Sequence, residues 1–343
     1  MIIIDGSQGW GQVLRTSIAL SSLLLEPIKV TNIRATRSRP GLMPQHFTGI
    51  KVAGEFCNAE TKNVQFGSME IEYNPRSLNV ESRSIDIGTS GSIPLLLQTL
   101  IPLLLFANKK TTLEIRGGTA GLGSPNIEYL KHVTFPILEK MWVKKPQIEI
   151  IKQGFYPRGG GEVSITLEPI KKLNALNLTD RGEVLDIQGF SIAGGLPLSV
   201  AERQAQAAEE FLKNKGYTVD IQSESVQTFS QGTSITLEAI CENSILGADA
   251  IGKRGFRAED IGRQAAEELY KSIQSKAALD KWMGDQIIPF LALADGNSTI
   301  TVEEITEHLK TNISVAEKIL GVNFKIDGNR VEVSGASYVN KII

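Results

Sequence analysis

The strongest constraint on the fold is an order of strands and helices that recurs along the chain. Near the N-terminus, hydrophobic periodicity predicts strand, helix, strand, helix, strand, strand, from IIID to MEIEY. The same order runs from SIDIG to EVSITLEP, and a third, partial copy runs from DKWMGDQIIPFLALA to a hairpin that turns at Asp327-Gly328. We therefore expect an α+β protein, an α/β sandwich built from three β-α-β-α-β-β repeats.

The third repeat is interrupted by a segment with its own alternation of strands and helices. The first strand of that repeat is expected near residues 172–180, and residues 183–278 are predicted to form a small inserted α/β domain. The core would then consist of residues 1–182 and 279–338. A capping-box pattern at Ser199 predicts the N-cap of the first helix in the insert.

Composition excludes several classes of protein. The 343 residues are 41% apolar and carry a net charge of −2, so a polyanionic partner would need a local basic site. Cys57 and Cys241 lie in apolar segments and are expected to be buried thiols in a reducing compartment. The N-terminus lacks a signal-peptide pattern, and the apolar run at 92–107 is shorter than the ~20 residues that cross a bilayer. We expect a cytoplasmic protein that does not enter a membrane; no motif indicates an oligomeric state.

Familiar site motifs are missing from the sequence. The glycine-rich stretches at 117–124 and 156–163 match neither a Walker loop nor a dinucleotide fingerprint. No Cys/His set has zinc spacing, and no G-x-S-x-G elbow is present. His132 lies in an amphipathic helix without polar neighbours and is expected to be structural.

His308 is one of only three histidines and lies in ITEHLKTN, at the start of a predicted helix. With Thr306 as N-cap, His308 falls in the first turn, where unpaired N–H groups and the helix dipole disfavour a positive charge. A neutral imidazole keeps a lone pair for nucleophilic or general-base work, and the same N-terminus can hold a phosphate. On this segment alone, a boundary histidine bonded to a neighbour remains the simpler interpretation.

Polar residues in otherwise apolar helices mark other candidate positions. Gln98 interrupts the most apolar helix, and its amide needs a partner, either in the protein or in a ligand. Arg15 lies on another apolar helix and is expected to face an anion or a carboxylate. A third candidate is one helical face that consists of Trp282, Asp285 and Gln286. Its aromatic ring, acceptor and amide could contact a nucleoside, or the face could be an ordinary helix end.

The run IRATRSRPGLMPQH concentrates arginine at the end of a predicted strand. Arginine donates to phosphate oxygens in a planar, bidentate way, so this run suits an anionic ligand. A solvated basic loop is the alternative interpretation. The arginines are Arg34, Arg37 and Arg39, and a predicted helix then opens with Gln45 and His46.

Taken together, these segments resemble RNA 3′-terminal-phosphate cyclases over almost the whole length. The resemblance rests on several motifs in the same order: DGSQG, GQVLRTS, IRATRSRPGLMPQH, GTSGS with LLLQTLIP, RGGT, GFYPRGGGEV, WMGDQIIPFLALA and EHLKTN. It implies a fold of three repeats similar to the C-terminal domain of a translation initiation factor, with a small domain inserted in the third.

The resemblance also implies the chemistry. In the family a histidine attacks the α-phosphorus of ATP, AMP passes to the RNA 3′-phosphate, and the 2′-OH expels AMP to leave a 2′,3′-cyclic phosphate. His308 would be that nucleophile. The adenylate pocket would be formed by Gln98, Trp282, Met283, Gly284, Asp285 and Gln286, with Trp282 in place of a usual tyrosine. The RNA phosphate and the triphosphate would be bound by Arg15, Arg34, Arg37, Gln45 and His46.

One motif departs from the family pattern. Where the family has G-E-G-G-G-Q, this chain has only Gly9-Trp10-Gly11-Gln12, without the glutamate associated with a divalent cation. The sequence therefore names no metal ligand, and Mg²⁺ or Mn²⁺ is expected to arrive with ATP.

Two other functions are compatible with parts of the pattern. The altered loop suits a non-catalytic, cyclase-like RNA-binding protein of ribosome biogenesis, although such relatives generally lack the histidine. The repeated architecture and the arginines also suit an enolpyruvyl-transferase-like enzyme, in which EHLKTN would have no role.

Overall fold

The computed structural model describes residues 1–8, 10–141 and 144–341, and these residues form four mixed sheets packed with helices. The strands are β1 (Ile2–Asp5), β2 (Ile28–Thr31), β3 (Glu60–Lys62), β4 (Ile71–Asn74), β5 (Arg83–Asp86), β6 (Thr111–Gly117), β7 (Gln147–Lys152), β8 (Gly161–Leu167), β9 (Asn177–Leu178), β10 (Val184–Gly194), β11 (Val219–Val226), β12 (Gly232–Cys241), β13 (Ile245–Ile251), β14 (Asn297–Thr301), β15 (Phe324–Asp327) and β16 (Arg330–Ser334).

The helices lie between these strands in the chain. They are α1 (Trp10–Leu24), α2 (Pro44–Cys57), α3 (Ile93–Leu105), α4 (Ile127–Tyr129), α5 (Phe135–Glu139), α6 (Leu198–Lys213), α7 (Ala258–Gln274), α8 (Lys281–Leu293) and α9 (Glu307–Leu320). A π-helical segment, Leu130–Thr134, joins α4 to α5. The prediction of an α+β protein is confirmed.

Three of the sheets have the same connectivity. Their strand orders are β1-β2-β4-β3, β5-β6-β8-β7 and β9-β14-β16-β15. In each, the first two strands in this order are parallel and the remaining pairings are antiparallel. Parallel neighbours need a crossover connection, which α1 provides in the first sheet and α3 in the second.

The connection from β9 to β14 contains the fourth sheet. This sheet has the order β11-β10-β12-β13 and is packed against α6 and α7. It has its own cluster of buried apolar side chains, which includes Ile187, Leu237 and Leu269. The domain boundaries at residues 183 and 278 stay a prediction.

The largest apolar cluster lies between the other three sheets and their helices. The helix α3, with the sequence IPLLLQTLIPLLL, is buried along most of its length, and Ser92 caps it by accepting from the backbone N–H of Leu95 at 3.1 Å. Helix α1 packs against α2, α3 and α9, and α8 packs against α9. Helices that connect strands of three different sheets therefore meet around α1, where the candidate side chains lie.

Two expectations concern individual elements. No described helix combines the length and the apolar character that spanning a bilayer requires. The predicted N-cap at Ser199 is wrong, because the N-cap of α6 is Pro197, two residues earlier, and the helix begins at Leu198. The extended backbone of Pro197 (φ −58°, ψ 146°) leads directly into the first turn, so Ser199 lies inside the helix.

Candidate active site

Arg15 lies at the centre of the candidate site, half-buried on α1. Its Nε donates to Oε1 of Gln98 on α3 at 3.0 Å, and its Nη2 donates to Oε1 of Gln12. Both partners are neutral amides, so of the two predicted partners, an anion or a carboxylate, only the anion stays a prediction. Burial lowers the pKa of Arg15 to about 9, which leaves it protonated at neutral pH. A cation held by neutral acceptors keeps a positive potential that an anionic ligand can neutralise.

A small pocket opens beside the contact between Arg15 and Gln98. Its volume is about 20 Å³, close to the ~10–15 Å³ that one water needs. It lies between α1, α3, α8 and the π-helical segment. Its lining residues are Gln12, Arg15, Thr16, Gln98, Ile101, Leu130, Thr134, Gln286, Pro289 and Phe290.

Gln286 closes the far side of this pocket. Its Oε1 accepts from Oγ1 of Thr134 at 3.3 Å, and its Nε2 donates to the carbonyl of Trp282 at 3.2 Å. The amide is therefore held in a defined orientation and is only 8% exposed. Thr134 was not among the predicted residues, since nothing in its local sequence distinguishes it from any other helical threonine.

The N-terminus of α9 is tied to α8 through its cap. Oγ1 of Thr306 accepts from the backbone N–H of Leu309 at 3.0 Å and donates to Oδ1 of Asp285. The predicted N-cap is therefore confirmed. Burial raises the pKa of Asp285 to about 7, although the bond from Thr306 acts in the opposite direction.

His308 lies in the first turn of α9 and is partly buried. Burial lowers its pKa, and the positive charges of Arg15 and Arg37 lower it further. At neutral pH the imidazole is therefore uncharged and has a ring-nitrogen lone pair. This is the protonation state that the sequence predicted.

Asn312 joins three helices one turn beyond His308. Its Oδ1 accepts from Oγ1 of Thr16 on α1 at 2.7 Å, and its Nδ2 donates to the carbonyl of Asp285 on α8 at 2.7 Å. The side chain is 0% exposed. These bonds fix the position of α9, and with it His308, relative to Arg15.

His46 approaches the same region from the first turn of α2. Its Nδ1 accepts from the backbone N–H of Met43 at 3.3 Å, which places its proton on Nε2. Burial, together with the charges of Arg15 and Arg34, lowers the pKa of His46 to about 3. A Cβ on Gly11 would lie 2.4 Å from Nε2 of His46, so α1 can approach this closely only with glycine there.

The arginine-rich run forms a turn next to α2. Arg34 adopts a positive φ of 53° and donates through Nη1 to the carbonyl of Gly41 at 2.9 Å. Burial and the nearby charge of Arg37 lower the pKa of Arg34. Gln45 is half-buried, and a Cβ on Gly91 would lie 3.4 Å from its Cβ.

The remaining predicted residues on α8 lie in different surroundings. The ring of Trp282 is 42% exposed and lies 4.8 Å from Nζ of Lys281. Met283 is fully buried in the apolar core, so only its backbone can face a ligand. Gly284 packs closely against the residue that follows β14, because a Cβ there would lie 2.8 Å from Cγ1 of Val302.

Positive charges act on the two histidines of the site. Arg15 lowers the pKa of both, Arg34 that of His46 and Arg37 that of His308. The carboxylates bonded to predicted residues lie on the α8 side, where Asp285 accepts from Thr306 and Asp280 accepts from the backbone N–H groups of Trp282 and Met283. No group of three His, Cys, Asp or Glu side chains in the described ranges is placed to hold a metal ion. In the altered motif, Gly9 lies outside the described residues, and the last residue, Gln12, accepts a hydrogen bond from Arg15. Within the described residues, the arginine and amide donors of this set suit an anionic ligand and do not fit a resident divalent cation.

A larger cleft lies elsewhere in the described structure. None of the predicted site residues lines it, but His132, which was expected to be structural, does. The cleft has a volume of about 650 Å³ and runs between α5, β7 and β12. His132 lines it, with Nδ1 3.4 Å from Oε1 of Glu238 and its ring 4.4 Å from that of Phe190. The expectation that His132 has no polar neighbour is wrong, because Glu238 comes from the fourth sheet, far away in the sequence.

Comparison with known proteins gives one consistent family. A family model described as RNA 3′-terminal phosphate cyclase matches residues 6–326. The RNA 3′-terminal phosphate cyclase of Pyrobaculum aerophilum is 42% identical over 343 residues, covering 98% of each chain. That of Pyrococcus abyssi is 43% identical over 330 residues, covering 96% of each chain.

Among solved structures, an EPSP synthase from Acinetobacter baumannii matches with a TM-score of 0.40 and 11% identity. The match covers 98% of this chain and 48% of that one. At this TM-score the likeness carries no argument about function.

Proposed function

Because the chain belongs to the RNA 3′-terminal phosphate cyclase family, we propose that it converts an RNA 3′-terminal phosphate to a 2′,3′-cyclic phosphodiester at the expense of ATP. The observation that carries the mechanism is the position of His308 in the first turn of α9, where burial and the positive charges of Arg15 and Arg37 lower its pKa. The family's three-repeat likeness to a translation initiation factor domain forms part of this proposal.

The first step is adenylylation of the protein. A ring nitrogen of His308 attacks the α-phosphorus of ATP, a phosphorus–nitrogen bond forms, and the bond to pyrophosphate breaks. The donors at the helix N-terminus and the guanidinium of Arg15 stabilise the negative charge on the pentavalent phosphorus. The adenylate would lie against Gln98, Asp285 and Gln286, with the ring of Trp282 as a stacking surface.

Two further steps complete the reaction. An oxygen of the RNA 3′-phosphate attacks the phosphorus of the histidine-bound AMP, which releases His308 and forms an RNA-adenylate. The neighbouring 2′-OH then attacks the terminal phosphorus, loses its proton and expels AMP, closing the ring. Arg34, Arg37, Gln45 and His46 would bind the RNA phosphate and the triphosphate. The need for a 2′-OH selects RNA over DNA.

A divalent cation would enter with ATP. Mg²⁺ keeps most of its waters and binds through substrate phosphates, which suits a site that presents arginines. When bound, Mg²⁺ or Mn²⁺ would neutralise charge on the triphosphate. No step assigned to the protein's own residues depends on a protein ligand to that cation.

The test combines labelling and ring closure. Protein incubated with ATP labelled in the α-phosphate should acquire an acid-labile, alkali-stable adduct, and His308→Ala should abolish both the adduct and cyclisation of a 3′-phosphorylated oligoribonucleotide. His132→Ala is the matched control, because this histidine lies beside Glu238 in the separate cleft and should leave both readouts unchanged.

Two outcomes would reject the proposal. The first is full cyclisation by His308→Ala. The second is tight binding of pre-ribosomal RNA by wild-type protein that forms no adduct and consumes no ATP, which would instead support the non-catalytic alternative.

A further inference from the structure

Exposed side chains on the glycine-rich segment 154–161 have no part in the chemistry described above. Tyr156 is 77% exposed, and Arg158 is also exposed. The backbone N–H of Arg158 donates to Oγ of Ser230 at 3.1 Å, so this segment contacts the loop between β11 and β12. Phe229 in that loop is 61% exposed and covers Gly160, where a Cβ would come within 2.1 Å of its ring.

A second cation joins these groups. Nζ of Lys152 lies 4.5 Å from the centre of the Phe229 ring. Glu162 is the cross-strand neighbour of Lys152, but its carboxylate pairs with Arg116 at 3.4 Å. The segment that exposes Tyr156 and Arg158 therefore contacts the loop that exposes Phe229, and Lys152 lies beside the Phe229 ring. We refer to Lys152, Tyr156, Arg158 and Phe229 as the aromatic-basic surface.

Packing contacts link the aromatic-basic surface to the candidate active site. A Cβ on Gly159 would lie 2.8 Å from Cα of Ser90, in the loop before α3. The next residue of that loop, Gly91, packs against Gln45 at 3.4 Å by the same measure. Gln45 directly precedes His46, whose pKa Arg15 and Arg34 lower. A few residue-to-residue contacts thus connect Phe229 to the arginines around His308.

A further basic loop lies at the same end of the fourth sheet. The backbone N–H of Gly252 donates to the carbonyl of Thr233 at 2.8 Å, next to the start of β12. The loop that follows exposes Lys253 and Arg254, together with Phe256, which is 62% exposed. Positive charge and aromatic rings therefore extend beyond the aromatic-basic surface along this edge.

We propose that the aromatic-basic surface binds the single-stranded part of an RNA upstream of its terminal phosphate. Exposed rings stack on bases of any sequence, and adjacent cations contact the sugar-phosphate chain. With a net charge of −2, the protein needs such a local site to hold a polyanion. The proposal rests on the proposed function for the position of the RNA 3′ end, and it assigns RNA binding to the segment that contributes Phe229.

The test measures binding and cyclisation of a long single-stranded oligoribonucleotide and of a dinucleotide, each with a 3′-phosphate. Tyr156→Ala and Phe229→Ala should each weaken binding of the long RNA about ten-fold, whereas Phe229→Tyr keeps a stacking ring and should bind normally. Arg158→Gln and Lys152→Gln should each reduce the slope of log affinity against log salt by about 0.7. Adenylylation by ATP and cyclisation of the dinucleotide should not change.

Lys215→Gln is the matched control for charge. Its Nζ lies 5.1 Å from the centre of the Tyr270 ring, but it precedes β11 and so lies at the opposite end of the fourth sheet. Its salt slope should equal that of the wild type. Because Phe229 also covers Gly160, the unfolding midpoint is measured for every variant. If Phe229→Ala is unstable, the test of aromatic stacking depends on Tyr156→Ala, because Tyr156 is highly exposed.

The proposal is overturned if Tyr156→Ala and Arg158→Gln bind the long RNA like the wild type. It is also overturned if they impair the dinucleotide as strongly as the long RNA, since the dinucleotide should not reach this surface. Absence of the adenylate adduct in wild-type protein would instead reject the proposed function, and binding of the long RNA would still be measurable.

Discussion

Nε of Arg15 on α1 donates to Oε1 of Gln98 on α3 at 3.0 Å, although 83 residues separate them in the chain. The contact gives the partly buried amide its partner and sets the direction of the guanidinium. It also joins helices that follow two different sheets. The orientation of the central cation therefore depends on how these helices pack.

Replacement of Gln98 tests this contact. Gln98→Leu removes an acceptor for a charged donor, an interaction that contributes about 1.5–3 kcal/mol. We expect adenylylation to slow at least ten-fold while the protein remains folded. Thr99→Val is the control on the same helix, because its Oγ1 faces Gly49 and not the pocket. An unchanged rate in Gln98→Leu would show that this orientation of Arg15 is not required.

The pH dependence of adenylylation should depend on Arg37. Positive charge from Arg37 lowers the pKa of His308, so Arg37→Gln should raise that pKa towards its usual value. The acid limb of the rate profile should therefore move to higher pH, because the protonated imidazole has no lone pair to attack phosphorus. The measurement is the initial rate of adduct formation across the acid range.

Arg39→Gln provides the comparison for this shift. Arg39 is exposed in the same run but is not among the charges that lower the pKa of His308. Its profile should superimpose on that of the wild type. Equal shifts in both variants would point to a general loss of positive potential and would contradict the specific role of Arg37.

The N-cap of α9 can be tested by comparing Thr306, the cap residue, with Thr311 inside the helix. Thr306→Val removes the N-cap acceptor and the donor to Asp285, so we expect a loss of about 1–2 kcal/mol in the free energy of unfolding and slower adenylylation. Thr311→Val removes a hydroxyl that bonds only to carbonyls of the preceding turn, and it should change stability by less than about 0.5 kcal/mol. Urea unfolding measures both; equal losses would contradict the capping role.

The dependence of stability on pH should change when Tyr129 loses its hydroxyl. Tyr129 donates to Oδ1 of Asp280 at 2.7 Å, and Asp280 also accepts from the backbone N–H of Gly247 at 2.9 Å. Burial raises the pKa of Asp280 to about 6. The unfolded chain loses this proton near pH 4, so stability should fall as pH rises from about 4 to about 6.

The hydroxyl of Tyr129 lowers the pKa of Asp280, so Tyr129→Phe should raise it further. The fall in stability should then extend above pH 6, in addition to a loss of about 1–2 kcal/mol from the missing bond. Tyr338→Phe is the control, because its hydroxyl donates to the carbonyl of Leu23 at 2.8 Å and not to a carboxylate. Thermal unfolding from pH 4 to pH 8 should show no change of slope in the control; parallel curves for both variants would refute the assignment to Asp280.

Local patterns predicted much of the secondary structure. The apolar run around Gln98 forms α3, and Thr306 caps α9. The predicted hairpin forms, but its turn is Gly328-Asn329 and not Asp327-Gly328, because Asp327 still pairs with Arg330. These features depend on side-chain periodicity and on the backbone preferences of a few residues, which can be read within a short window. The N-cap predicted at Ser199 was wrong, because Pro197 is the N-cap and Ser199 already lies inside the helix.

The family was also predictable from the sequence. No single motif is specific, but several motifs in the same order are. They did not determine which groups contact each other. The bond of Arg15 to Gln98, the contribution of Thr134 to the pocket and the pairing of His132 with Glu238 all join residues far apart in the chain.

The sequence by itself thus determined the α+β class, the start of the helix that carries His308 and the residue types available for phosphate chemistry. Only the tertiary structure decided that Arg15 has neutral partners, that Asn312 ties α9 to α1 and α8, and that Phe229 lies beside Lys152. The physical reason is that hydrogen bonding and desolvation depend on distances of a few ångströms in space. Chain packing sets those distances, and local periodicity does not encode them.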